Sequence, residues 1–130
     1  MNLNETLADT FRLAKWYETE GRPVCPWCFD GEDLRPGFKP LKRNPLLRTY
    51  WCRCCDRCFS DLYGTPIENT SVPLHVWVLV VLDVPMTKEQ SQFRHNRYGM
   101  RKRIKDSPFI ARWKAEMGKT GIQTRLKGVI

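Results

Sequence analysis

Hydrophobic positions along the chain fall into four stretches with different periods. Leu7, Phe11 and Ala14, with Trp16, recur at near-helical spacing and predict an amphipathic helix over residues 3–20 that packs on the rest of the domain. Asn2 or Asn4 suits its N-cap, Glu5 suits the positive end of its dipole, and Gly21 and Pro23 stop it. From Val24 to about Pro66 the helical period disappears, and alternation over 48–53 and 57–63 predicts two short strands joined by a tight cysteine-bearing turn. Ser71, Val72 and Pro73 then form an N-cap and N1-proline start. Residues 74–84 are apolar nearly all round, which predicts a central buried helix ended by Pro85, although their β-branched content also permits a strand. From Met86 onward the pattern predicts two or three short basic helices. Thr87 with Gln90 has capping-box spacing, Ser107 with Pro108 marks a helix start, Gly118 marks its end, and residues 119–130 give no clear signal.

The chain has 130 residues, room for one compact domain or a small domain with an appended module, and not for a large enzyme. At 42% hydrophobic and 12% aromatic it can fold a core. Its longest apolar run, VWVLVVL from Val76, is far below the roughly 20 residues of a membrane span. The first residues carry acidic side chains and no apolar signal segment, so the expected compartment is a reducing cytoplasm, without membrane contact. Charge is distributed unevenly. Residues 1–85 carry 10 basic and 11 acidic side chains, whereas residues 86–130 carry 12 basic and 3 acidic. The whole excess of the +8 net charge therefore lies in the last third, which suggests a polyanion as partner.

All six cysteines fall between positions 25 and 58. Cys25 and Cys28 form one C-x-x-C knuckle; after a gap of 23 residues come Cys52, Cys54, Cys55 and Cys58. Two such knuckles about twenty residues apart have the spacing of a four-thiolate zinc site, because each turn presents two sulfurs on one side of a tight loop and zinc takes four tetrahedral ligands. The alternatives, disulfides or unrelated thiols, suit an exported chain better. Spacing leaves the second pair open between Cys52 with Cys55 and Cys55 with Cys58. A closed four-cysteine site has no open coordination position, so the metal is expected to be structural.

The stretch RTYWCRCCDRCFSDLYGTPIENTSVPLHVWVLVV resembles the N-terminal zinc-ribbon region of bacterial insertion-sequence transposases. The shared features are Tyr50, Cys52, Cys55, Phe59 and Ser60, then Gly64, Thr65 and Pro66, then Pro73, Leu74 and Trp77, with Cys25-Pro26-Trp27-Cys28 as the upstream knuckle. The likeness covers residues 24–84. It implies that Cys25, Cys28, Cys52 and Cys55 hold one zinc ion, with Cys58 or Cys54 as substitutes. It also implies a helix-turn-helix after the P-L-x-x-W helix and, with it, binding of double-stranded DNA. Cys54 and Cys58 depart from the family pattern, and the sequence ends where the carboxylate-bearing catalytic domain would begin, so transposase chemistry is not implied.

The expected fold is therefore α+β: an N-terminal helix (1–23), a small four-cysteine zinc ribbon (24–70), a helical, helix-turn-helix-like basic part (71–118) and a tail (119–130). In the helix-turn-helix reading, residues 87–92 form the first helix, His95 and Asn96 the turn, and residues 97–105 the second helix. Arg97, Arg101, Lys102, Arg103 and Lys105 would then face DNA, with Arg94, Asn96 and Tyr98 as further backbone or base contacts. The competing reading of these charges is a solvated basic face. Met100, Ile104, Phe109, Ile110 and Trp113 are expected in the core, His75 in packing and His95 on the surface.

Arg35 to Arg57 adds a second basic group, near Trp27, Phe38 and Trp51, which suits either packing around the metal loops or stacking on single strands; packing is the preferred reading. Asp30, Glu32 and Asp33 have no second acidic cluster to pair with, and no nucleophile or phosphate-loop motif is present, so an enzyme is not expected. Two functions remain: a zinc-dependent DNA-binding regulator or accessory factor of a phage, plasmid or other mobile element, or an interaction module whose ribbon or N-terminal helix docks on a protein partner such as RNA polymerase or a host defence complex.

Overall fold

Helix α1 spans Leu3–Lys15 and buries Leu7, Phe11 and Ala14, the face its apolar spacing predicts. The computed structural model describes residues 3–28, 34–37, 41, 44–86 and 88–122; Asn2, the acidic trio at 30–33, Phe38 and Thr87 lie outside them. Asn4 lies inside α1 and does not cap it. The helix is also shorter than the expected 3–20. At Trp16 the backbone leaves helical geometry, a 3-10 turn follows at Tyr17–Thr19, and Glu20 adopts left-handed backbone at φ 56°. The Gly21 N–H returns to the Trp16 carbonyl at 2.9 Å to close this end. The break turns the Trp16 indole away from the helical core and into the cysteine-bearing part, where its Nε1 donates to Asp61 at 3.0 Å.

Three antiparallel strands follow in the order β1 (Leu34–Pro36), β2 (Thr49–Cys52), β3 (Arg57–Ser60). The hairpin β2–β3 matches the two predicted strands, with Tyr50 opposite Phe59 and Trp51 opposite Cys58. Strand β1 was not predicted: three residues ending in proline have no strand signature, and it forms because β2 offers it an edge. Gly37 ends it with its N–H on the Thr49 carbonyl at 2.8 Å. A Cβ at Gly37 would lie 2.1 Å from the Thr49 hydroxyl and 2.9 Å from the Thr49 backbone, so only glycine permits this approach.

Helix α2 (Leu74–Val81) is buried along almost its whole surface, as its apolar run predicts, and the strand alternative is not realised. Its ends differ from expectation. Pro73 takes the N-cap position, and the N-terminal donors are met from a distance: the Asn44 Oδ1 accepts the Leu74 N–H at 2.5 Å. At the other end Asp83 takes left-handed backbone (φ 55°), with the Val84 N–H on Leu79 O at 2.8 Å and the Asp83 N–H on Val80 O at 3.2 Å. This is a Schellman closure, and it stops the helix before Pro85 can. Asn44→Ala is expected to cost about 1–2 kcal/mol, since a buried helix start loses its acceptor. A urea midpoint equal to that of the native chain would refute the capping role.

The basic part also differs from its predicted layout. Lys88–Asn96 is a single 3-10 helix that runs directly into α3 (Arg97–Ile104), so His95 and Asn96 do not form a turn between two helices. The break comes later, at Lys105 and Asp106, before α4 (Pro108–Thr120). Ser107 caps α4 as its sequence predicts, accepting the Ile110 N–H at 3.3 Å. Gly118 does not stop α4, which continues to Thr120 and ends at Gly121 in left-handed backbone (φ 72°), with Ile122 buried beyond it.

Helices α1 and α4 form the main packed pair. Phe11 meets Phe109 and Trp113 edge-on at 4.9 and 5.1 Å, and the buried Trp113 indole donates to Thr10 Oγ1 at 3.1 Å. Met100, Ile104, Phe109, Ile110 and Trp113 join one helical core with α2, as expected for them. His75, expected in packing, is instead exposed on α2. No helix among the described residues is long and apolar enough to cross a membrane.

A second, smaller core gathers Trp16, Cys25, Tyr50, Cys52 and Phe59. Asp61 sits at the seam between the two cores with no solvent exposure. Its carboxylate accepts from Trp16 Nε1 at 3.0 Å, Tyr50 OH at 2.8 Å and the Arg48 N–H at 2.8 Å, and the Arg12 guanidinium lies 3.7 Å away. Burial and the neighbouring carboxylate push the Tyr50 hydroxyl well above its usual range, so it stays a donor.

Candidate metal centre

Two turns bring four thiols together. The first is the knuckle carrying Cys25 and Cys28; the second is the β2–β3 turn, which starts at Cys52 and holds Cys55. Left-handed backbone at Asp56 (φ 56°) tightens the second turn, with the Asp56 N–H on Cys52 O at 2.8 Å. The Asp56 carboxylate accepts from Trp51 Nε1 at 2.8 Å, which fixes the outer side of the turn.

The ligand atoms of Cys25, Cys28, Cys52 and Cys55 all lie within 4.8 Å of one another. Cys25 and Cys55 sulfurs are 3.6 Å apart, and those of Cys52 and Cys28 are 3.7 Å apart. Metal–sulfur bonds of about 2.3 Å in a tetrahedron place sulfurs about 3.8 Å apart, so the four residues could hold one metal ion. Cys54 and Cys58 are exposed and stand outside the group. The strand period explains the choice that spacing left open. Tyr50 and Cys52 share one face of β2, and Phe59, opposite Tyr50, shares it from β3; Cys58, next to Phe59, must point to the other face with Trp51.

The thiols differ in acidity. Cys52 is drawn down to about 7, chiefly because the Cys55 backbone N–H donates to it. Hydrogen bonding with Cys55 pushes Cys28 up, and burial pushes Cys55 up. A metal must displace protons from these thiols, so its affinity falls as pH falls.

Aromatic side chains wall the cluster. Phe59 lies 5.2 Å from Tyr50, 5.9 Å from Trp16 and 6.2 Å from Trp27, while Trp27 also meets Tyr63 at 5.3 Å. Arg57 covers the Trp27 ring at 5.1 Å. Trp27 is therefore a packing residue of the cysteine-bearing loops, consistent with its preferred sequence reading.

None of the basic residues predicted to contact DNA belongs to this cluster. Arg94, Asn96, Tyr98, Arg101, Lys102, Arg103 and Lys105 are exposed, Tyr98 at 71%, while Arg97 is half-buried. Several arginines also have internal partners that the sequence did not suggest. Arg103 donates to Pro66 O at 2.7 Å and Glu68 O at 2.6 Å, and Arg94 to Met86 O at 3.0 Å. Arg101 and Arg97 approach the Asp83 carboxylate at 2.5 and 3.6 Å. Lys102 lies 4.9 Å over the Tyr98 ring. Asp83 carried no local signal, since its partners stand 14 and 18 positions further along the chain.

The chain matches no family model, no curated protein and no solved structure.

A cleft of about 780 Å³ separates the end of α1 from the first knuckle and α4. Lys15 and Arg112 line it, and burial lowers the Lys15 ammonium below its usual range. Arg112 is engaged with Ala14 O at 3.2 Å and with the Tyr17 ring at 3.9 Å, so this wall is part of the α1–α4 packing.

Proposed function

We propose that the protein is a zinc-stabilised DNA-binding protein, with the four-thiol centre as a structural element and the basic face around α3 as the DNA contact. The carrying observation is the exposure of Arg94, Arg101, Lys102, Arg103 and Lys105 together on one short segment. Twelve basic against three acidic residues in the last third add the long-range field. Arginine forks and lysines at this density neutralise phosphates and release counterions on binding. Zinc is the metal preferred for four thiolates at these separations, and Cys25, Cys28, Cys52 and Cys55 would hold it with no coordination position left for catalysis. The reading is that of a binder and not of an enzyme. The likeness of residues 24–84 to transposase ribbons supports a role as regulator or accessory factor of a mobile element.

The test is fluorescence anisotropy of the zinc-loaded protein on a random duplex pool, titrated with salt. Micromolar or tighter binding at about 100 mM salt with a steep salt slope is expected. Lys102→Gln with Lys105→Gln removes two exposed charges and is expected to reduce that slope by up to about two. No binding at about 100 mM salt would sink the reading. The alternative then favoured is docking on a protein partner, for which Leu46 and Leu13, each 41% exposed, offer apolar contact.

A further inference from the structure

Three arginines border one hollow beside the C-terminal end of α2. Arg94, Arg97 and Arg101 line a surface hollow of about 460 Å³ with Asp83, Pro85 and Met86. Asp83 is the one acidic residue among them, and its Oδ1 lies 2.5 Å from Arg101 and 3.6 Å from Arg97. One carboxylate thus faces two cations, while Arg94, on the same hollow, donates to Met86 O at 3.0 Å. Its location is otherwise unfavourable: Asp83 occupies the left-handed closing position after α2, where the helix dipole presents its negative end. The Asp83 side chain is 77% exposed, so water and salt weaken its hold on the arginines.

We propose that this hollow is a phosphate-binding site, in which Asp83 occupies the place of a backbone phosphate until nucleic acid displaces it. The inference rests on the DNA-binding reading and names the contact that anchors it. A phosphate offers several strong acceptor oxygens to planar guanidinium forks, which a single exposed carboxylate oxygen does not match. The helix closure engages only the Asp83 backbone, so the exposed carboxylate is held by Arg101 and Arg97 alone and can give way to a stronger anion. It therefore acts as an internal competitor that weakens every polyanion contact made through Arg97 and Arg101.

Asp83→Asn tests this directly, since asparagine keeps the shape and tolerates left-handed backbone while removing the charge. In the zinc-loaded full chain, D83N is expected to tighten duplex binding about 3–10-fold at about 100 mM salt and to steepen the salt slope by about one. Adding Arg101→Gln should cancel the gain. Asp83→Gly serves as a second charge-removing variant if D83N alters the thermal midpoint. Inorganic phosphate is the second probe, followed by the Nε–Hε resonances of the arginines. If neither form binds duplex, yet Arg97 and Arg101 respond to millimolar phosphate in D83N, the site stands and the DNA reading fails. If the native chain binds duplex and neither charge-removing variant tightens it, the site is overturned, and Asp83 only ties α3 to α2. If there is neither duplex binding nor a phosphate response, the site is overturned as well.

Discussion

Cys25→Ser and Cys52→Ser are each expected to abolish stoichiometric metal binding and to unfold the cysteine-bearing half of the protein. Structural zinc in small thiolate sites contributes about 10–16 kcal/mol of apparent binding free energy, as large as the whole stability of a typical domain. The segment that a bound metal would hold has little else to order it. Its sheet consists of strands of three and four residues, and its core is five residues around the thiols themselves. Trp16 ends α1 inside that core, so the loss is expected to reach the α1 end of the helical part as well. Cys54→Ser and Cys58→Ser are the controls, because both thiols are exposed and outside the cluster. Native mass spectrometry should show one metal ion on the control variants and none on the first two. Loss of metal in Cys58→Ser, with retention in Cys52→Ser, would overturn the ligand assignment.

Asp61→Ala is expected to be the most damaging substitution away from the thiols, at about 3–5 kcal/mol. Removal of the carboxylate leaves the Trp16 indole N–H, the Tyr50 hydroxyl and the Arg48 N–H without their acceptor, and Arg12 near an empty seam. Each buried donor left unmatched costs about 1–3 kcal/mol. Asp61→Asn keeps the volume and one acceptor oxygen but turns an NH2 toward Arg48 or Arg12, so an intermediate loss is expected. Urea unfolding at unchanged m-value measures both. A cost below about 1 kcal/mol for the alanine variant would show that Asp61 does not join the two cores. The four thiols are untouched, so metal stoichiometry in the folded variant should remain that of the native chain.

The two predictions concern features of different legibility. The thiol site was visible in the residues because C-x-x-C is a local turn property, whereas Asp61 had no signal at all. Its donors lie 11, 13 and 45 positions away, and a lone aspartate after a strand looks like any surface residue until the chain closes around it.

The same division runs through the molecule. Local chemistry was enough for the apolar run that forms α2, for the Ser107 cap of α4, for the β2–β3 hairpin and for the burial of Phe11, Met100 and Trp113. These depend on side-chain period and capping within about four residues. Tertiary structure alone decided that Trp16 leaves α1 and that Asn44 caps α2 from thirty positions away. It also decided that three residues ending in Pro36 become a strand, whereas the grouping of Cys52 rather than Cys58 with the other thiols is the one the resemblance implied. The absence of a turn at His95 and Asn96, and the pairing of Arg97 and Arg101 with Asp83, belong to this class too. For Trp16, Asn44, β1 and the Asp83 arginines the deciding partner is distant in the chain, and its free energy exists only once hydrophobic burial has brought the segments together.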